Sequence, residues 1–122
     1  MMPRRLVLAW IAAFAWFASA PAAAHAFLDH AVPPVGSTVH ESPQGIRLWF
    51  TEPLEPAFSR VQVVDASGKE IDKGDSHVDE SNASMLAVSV PALAPGKYRV
   101  KWRVVSVDTH VTEGDFTFEI EP

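Results

Sequence analysis

The residues best suited to chemistry in the second half of the chain are Asp108 and His110, in the stretch VVSVDTHVTEG (104–114). In an extended segment, residues i and i+2 point to the same side, so this carboxylate and this imidazole can converge on one ion. The same spacing is also typical of an aspartate that stabilises a turn beside an ordinary surface histidine. Taken alone, the D-x-H spacing is therefore compatible with either a metal site or a plain turn.

A second candidate, His25, depends on how the chain begins. Two arginines precede an apolar run at 6–18, and small residues at 22–24 form the pattern that a secretory peptidase accepts. The run has 13 residues, whereas a membrane-spanning helix needs roughly 20, so a cleaved leader is favoured over a retained anchor. We expect a signal peptide at residues 1–24, one domain at residues 25–122, and export to the periplasm.

Cleavage at this point would place His25 at the new amino terminus. Its free α-amine and its imidazole Nδ1 could then close one chelate ring on a metal, which a histidine inside the chain cannot do. An α-amine has a pKa of roughly 8, so a metal displaces its proton near neutral pH far more readily than it displaces one from lysine. One residue would thus supply two nitrogen donors.

Together, His25, Asp108 and His110 offer an amine nitrogen, two imidazole nitrogens and a carboxylate oxygen. This mixed nitrogen and oxygen environment is typical of tetragonal Cu(II). A structural zinc site would more often use cysteines, and calcium or magnesium would require more oxygens. We therefore expect these residues to bind one Cu(II) ion.

Composition narrows the function further. Without its first 24 residues the chain keeps 98 of 122, with 8 Lys and Arg against 15 Asp and Glu, a formal charge of −7. This acidity argues against nucleic acid as a partner, because phosphate binding needs a basic surface. The chain has no cysteine, and Met85 is the one methionine beyond the leader, so metal ligands must be mainly nitrogen and oxygen.

The elements that position these residues are short strands. Proline and glycine divide the chain after residue 25 into pieces too short for a confident helix, and between them lie runs with the period-2 alternation of strands. Six or seven strands at such intervals predict an all-β, immunoglobulin-like antiparallel β-sandwich. The predicted strands are 45–50, 60–65, 69–71, 85–90, 96–105 and 115–120, with a solvated loop at 72–84, and the predicted aromatic core is Trp49, Phe50, Trp102, Phe116 and Phe118.

From residue 25 to the end, the sequence resembles the CopC family of periplasmic copper-binding proteins. The resemblance rests on HAFLDHAVPPVGSTV, IRLWFTEPL, LAPGKYRVKWRVVSVDTHVTEG and the final FTFEI. It implies a small Greek-key β-sandwich in which the amino-terminal histidine and the DTH motif hold Cu(II), here His25, Asp108 and His110. It also implies that Glu52 lies near the copper as a hydrogen-bond acceptor, although a surface glutamate is the other interpretation.

The resemblance implies a monomeric copper carrier for buffering, resistance or delivery, not an enzyme. A CopD-like inner-membrane copper transport protein would be its partner. Some family members have a second, methionine-rich Cu(I) site, which this sequence lacks, since Met85 alone is typical of core packing. Two alternatives stay open: an oxidative copper enzyme with a pair of histidines at its centre, and a metal-free immunoglobulin-like module.

The remaining histidines, His30, His40 and His77, lie in polar or proline-rich stretches and do not belong to a recognisable multidentate donor set. We expect them to be ordinary polar residues.

Overall fold

The computed structural model describes residues 25–122, which form two packed β-sheets. The predicted leader at residues 1–24 lies outside the described residues. The strands are β1 (Leu28–Val32), β2 (Thr38–Val39), β3 (Gly45–Phe50), β4 (Arg60–Val64), β5 (His77–Asp79), β6 (Asn82–Ser89), β7 (Gly96–Val105) and β8 (Val111–Ile120), with one 3₁₀ turn at Pro56–Phe58. Within this part of the chain, no helix is long and apolar enough to cross a membrane.

The first sheet has the strand order β1-β3-β6-β5, and the second has the order β2-β8-β7-β4. All pairings are antiparallel except that of β2 with β8. The chain crosses between the sheets after β1, β2, β3, β4 and β6, so neighbours in sequence often lie in opposite layers. The predicted β-sandwich class is confirmed.

The core lies between the sheets because each strand alternates buried and exposed side chains. In β7, for example, Tyr98, Val100 and Val104 are buried while the lysines and arginines between them face solvent. The largest fully buried side chains are Phe118, Ile46, Leu48, Leu54 and Leu86. A two-layer sandwich needs this arrangement, since apolar area removed from water stabilises the fold.

Three of the five predicted core aromatics, Phe50, Phe116 and Phe118, are buried, and Trp102 packs half-buried against them. The prediction for Trp49 is wrong. It lies on the outer face of β3, half-buried, with its ring stacked on His30 at 4.4 Å between centroids. Ile46, Leu48 and Phe50 share the inward parity, so the alternation in this strand excludes Trp49 from the core.

The strand boundaries also differ from prediction in the middle of the chain. The expected loop at 72–84 contains β5, the edge strand of the first sheet, and the start of β6. The polar residues of both are exposed or half-buried. Residues 69–71 form only an isolated bridge, Val64 with Glu70, instead of a strand. The strands β1 and β2 were also not predicted, because they have few or no alternating apolar residues. The described residues therefore form eight strands where about seven were expected.

The longest elements are β7 and β8, ten residues each, which pair along their full length from Gly96 with Ile120 to Val105 with Val111. This hairpin ends in the loop 106–110, which contains the DTH motif. The loop is therefore presented by the most extensively paired strands of the protein.

Candidate metal centre

The loop 106–110 is a closed turn held mainly by Ser106. The Ser106 amide donates to the carbonyl of His110 at 2.9 Å, and the Thr109 amide donates to the carbonyl of Ser106 at 2.7 Å. Thr109 has φ +74°, in the left-handed region that a threonine rarely occupies. The DTH motif is thus tightly turned, and the expectation that it is extended is wrong.

Asp108 and His110 nevertheless come together, because the turn brings their side chains to the same side. Asp108 Oδ2 lies 3.1 Å from His110 Nδ1, and Asp108 Oδ1 accepts a hydrogen bond from the Ser106 hydroxyl. That hydroxyl, followed by the bond to His110, holds the pKa of Asp108 below its usual range. With its Nδ1 donating to Asp108, the His110 ring has Nε2 free for another contact.

Two sheets bring the beginning of the described chain to this loop. Ala26 is only 1% exposed and belongs to the core, so it fixes where the segment enters the fold. Its carbonyl accepts a hydrogen bond from the Thr112 hydroxyl at 2.7 Å. Thr51, just after β3, bonds to the backbone of Phe27. The residue before Ala26 therefore lies beside the β7–β8 loop.

His25 accordingly contacts His110. Their rings stack with centroids 4.5 Å apart and planes inclined by 29°, and the centroids of the His25 and Phe27 rings are 5.9 Å apart. The structure therefore places two of the predicted metal ligands, His25 and Asp108, each in contact with the third, His110.

The contact between His25 and His110 does not by itself form a complete set of metal ligands. Among residues 25–122, no three histidine, cysteine, aspartate or glutamate side chains already converge as metal ligands. In the full chain, moreover, the main-chain nitrogen of His25 belongs to a peptide bond with Ala24 and cannot act as an amine.

Glu52 is half-buried and follows Thr51 directly. Within the described part of the chain, its carboxylate has no hydrogen bond or ion pair, so its role near a metal stays a prediction.

The other histidines have separate structural partners. The His30 ring donates to Asp29 at 2.7 Å, His40 to the carbonyl of Glu121 at 3.2 Å, and His77 to the carbonyl of Asp75 at 2.8 Å. None of these three histidines is stacked with His25 or His110.

Three residues of the centre were missed from the sequence: Ser106, Thr51 and Thr112. Ser106 is 1% exposed, and its position two residues before Asp108 was a usable signal, since serine and aspartate at this spacing bond within turns. Thr51 and Thr112 gave no signal, because their partners lie far away in sequence.

The fold and the site together define a small β-sandwich protein with a histidine and carboxylate centre at one end of its two sheets. The family model described as the CopC domain matches residues 28–121, and the chain belongs to that family. The resemblance noted from the sequence is thereby confirmed.

Relatives extend the match in sequence and in structure. Protein YobA of Escherichia coli strain K12 is 36% identical over 99 residues, covering 80% of this chain and 80% of that protein. The crystal structure of CopC from Methylosinus trichosporium OB3b aligns with a TM-score of 0.72 at 36% identity, over 80% of this chain and 95% of that one. The structure of PcoC, a methionine-rich copper resistance protein from Escherichia coli, aligns with a TM-score of 0.71 at 30% identity, over 80% of this chain and 100% of that one.

Proposed function

We propose that the protein is a periplasmic copper carrier that binds one Cu(II) ion through His25, Asp108 and His110. The observation that carries the proposal is the contact between the His25 and His110 rings, whose centroids are 4.5 Å apart. Asp108 in turn bonds to the His110 ring. Copper is the cargo of such a protein. Membership of the CopC family, with structural relatives named for copper resistance, supports this choice of metal.

Signal-peptide cleavage before His25 is an integral part of the proposal. It would turn the peptide nitrogen of His25 into an amine and complete a donor set of three nitrogens and one carboxylate. Binding would also require the two imidazoles to leave their stacked arrangement. The exposed position of the loop supports such a rearrangement, since the side chains of His110 and Asp108 are 49% and 38% exposed.

The donor types favour Cu(II) over Cu(I). Cu(I) prefers thiolate and thioether sulfur, whereas imidazole, amine and carboxylate suit Cu(II). The chain has no cysteine, and Met85, its one methionine among the described residues, is half-buried on β6, paired with Trp49 of β3. Unlike the methionine-rich relative, this protein would hold copper in one oxidation state.

A carrier must release its metal to another molecule. The centre lies at the end of the sandwich, where Phe27, Val107 and Val111 are exposed apolar neighbours of the three ligands. We propose that the monomeric protein delivers copper at this end to a CopD-like inner-membrane transport protein, and that Glu52 accepts a hydrogen bond near the bound ion. Both are consequences of the family resemblance.

The test begins with the exported protein. Intact mass of the periplasmic form should correspond to a chain starting at His25, and native mass spectrometry after Cu(II) addition should show one added copper. Continuous-wave EPR should show a tetragonal signal with nitrogen hyperfine structure. A mature protein that begins elsewhere, or that retains no copper against a chromophoric chelator, would overturn the proposal.

A further inference from the structure

The segment 25–27 is held on both sides although it lies next to the predicted amino terminus of the mature protein. Chain ends usually fray unless something ties them down. Here Thr51, directly after β3 of the first sheet, and Thr112, on β8 of the second, bond to consecutive residues of the segment. We refer to these two threonines as the threonine clamp.

Thr112 lies on β8, two residues after His110. Its hydroxyl donates to the Ala26 carbonyl at 2.7 Å, and the Ala26 side chain is buried in the core. The strand that follows the DTH loop therefore also fixes the backbone adjoining His25. Removal of this hydroxyl would leave the Ala26 carbonyl without that donor.

Thr51 makes a two-way contact with Phe27. Its amide donates to the Phe27 carbonyl at 2.9 Å, and its Oγ1 accepts from the Phe27 amide at 3.0 Å. The same hydroxyl donates to the His25 carbonyl at a longer 3.4 Å. A valine at this position would keep the backbone bond and the shape but lose both contacts of the hydroxyl.

We propose that Thr51 and Thr112 are positioning residues that hold residues 25–27 in the metal-free protein, so that the His25 donors stay beside His110. The inference rests on the proposed copper site. Its physical basis is that ordering a flexible donor during binding lowers affinity, whereas a donor already held avoids that loss. Neither threonine needs to touch the metal.

The test uses mature protein with Thr51→Val, Thr112→Val or both. Each single variant should bind Cu(II) about five- to tenfold more weakly, because a net hydrogen bond contributes about 1 kcal/mol and 1.4 kcal/mol is tenfold. The double variant should lose more, with altered EPR parameters. Thr51→Ser and Thr112→Ser, which keep the hydroxyl, should restore affinity. Thr117→Val, on β8 and outside the clamp, is the matched control and should bind normally.

Amide hydrogen exchange of the metal-free protein gives an independent measurement that does not require the valine variants to be stable. The Phe27 amide should be protected in the wild type and exchange at least about fivefold faster in Thr51→Val, as expected for loss of one net hydrogen bond. Wild-type copper affinity and EPR spectrum in both valine variants, or an unprotected Phe27 amide in the wild type, would overturn the clamp. If His110→Ala also leaves binding unchanged, the copper site itself fails; if His110→Ala abolishes binding, only the clamp does.

Discussion

His25 and His110 stack with ring centroids 4.5 Å apart although they come from opposite ends of the described chain. Neither sheet alone accounts for this contact. Thr51 of the first sheet and Thr112 of the second both bond to the segment that carries His25, while the β7–β8 hairpin presents His110. The centre is therefore a product of the packing of two layers, and each of its parts can be tested separately.

Extension of the amino terminus tests the role of the α-amine. A mature protein with one glycine before His25 should bind Cu(II) more weakly by orders of magnitude, because the amine moves out of the chelate ring. One glycine added after Pro122 is the matched control and should have no effect. Competition titration against a chromophoric chelator measures both, and equal affinity of the two extended proteins would refute the amine ligand.

Substitution of the loop residues tests the other two ligands. Asp108→Ala and His110→Ala should each weaken Cu(II) binding and change the EPR spectrum, while the metal-free fold persists because the sandwich core does not depend on a metal. His40→Ala and His77→Ala should bind as the wild type does. Circular dichroism checks the fold, and unfolding of either metal-free loop variant would contradict the claim of an independent core.

Reduction of the bound copper tests whether the ligands are nitrogen and oxygen donors without sulfur. Reduction of the Cu(II)-loaded protein under anaerobic conditions should release the ion to a Cu(I) chelator, because the proposed ligands contain no sulfur. The measurement is the absorbance of the chelator complex before and after reductant. Retention of Cu(I) as tightly as Cu(II) would instead favour a redox-cycling copper enzyme.

Substitution of Gly114 tests the packing between the β7–β8 hairpin strands at Trp102. Gly114 faces Trp102 across the β7–β8 pair, and a Cβ on residue 114 would clash with Cζ2 of the Trp102 indole. Gly114→Ala should therefore destabilise the fold by about 1–3 kcal/mol, as overpacking of a core does. Urea denaturation measures the loss. The same substitution in a Trp102→Leu background should cost less, and an equal cost in both backgrounds would exclude this contact as the cause.

The lowered pKa of Asp65 predicts how the free energy of unfolding depends on pH. Asp65 Oδ1 accepts from the Ser67 hydroxyl at 2.7 Å and from the Lys69 amide at 3.0 Å, and these bonds lower the pKa of the carboxyl. A lowered pKa in the folded state stabilises the fold above the unfolded-state value of about 3.9, and this contribution is lost as pH falls through the folded-state value.

Asp65→Ala should therefore be less stable than the wild type at pH 7, and the difference should shrink as the solution is acidified below pH ~4. Urea denaturation across that range measures it. Copper binding should be unaffected, which makes Asp65→Ala a second control for Asp108→Ala. A difference that stays constant down to the acid limit would show that the carboxylate charge is not responsible.

The sequence by itself determined the class of fold and the identity of the candidate donors. Alternation in β3 and β7 is a local property of a half-buried strand, so it could be recognised without knowledge of the partner strand. The alternation in β3 would also have excluded Trp49 from the core, because Trp49 lies between the inward-facing Leu48 and Phe50. The D-x-H spacing and the predicted leader likewise singled out His25, Asp108 and His110 as candidate ligands from neighbouring residues alone.

Only the tertiary structure decided how those donors meet. The DTH loop is turned instead of extended, because the Ser106 backbone bonds to His110 and Thr109, and Thr109 lies in the left-handed region. The serine–aspartate spacing favours a turn, but it does not show which backbone groups close it. Thr51 and Thr112 bond to a segment far away in sequence, so no local pattern could reveal them. The contact between His25 and His110 arises because the two sheets pack with these ends side by side, and long-range packing of that kind has no periodicity along the chain.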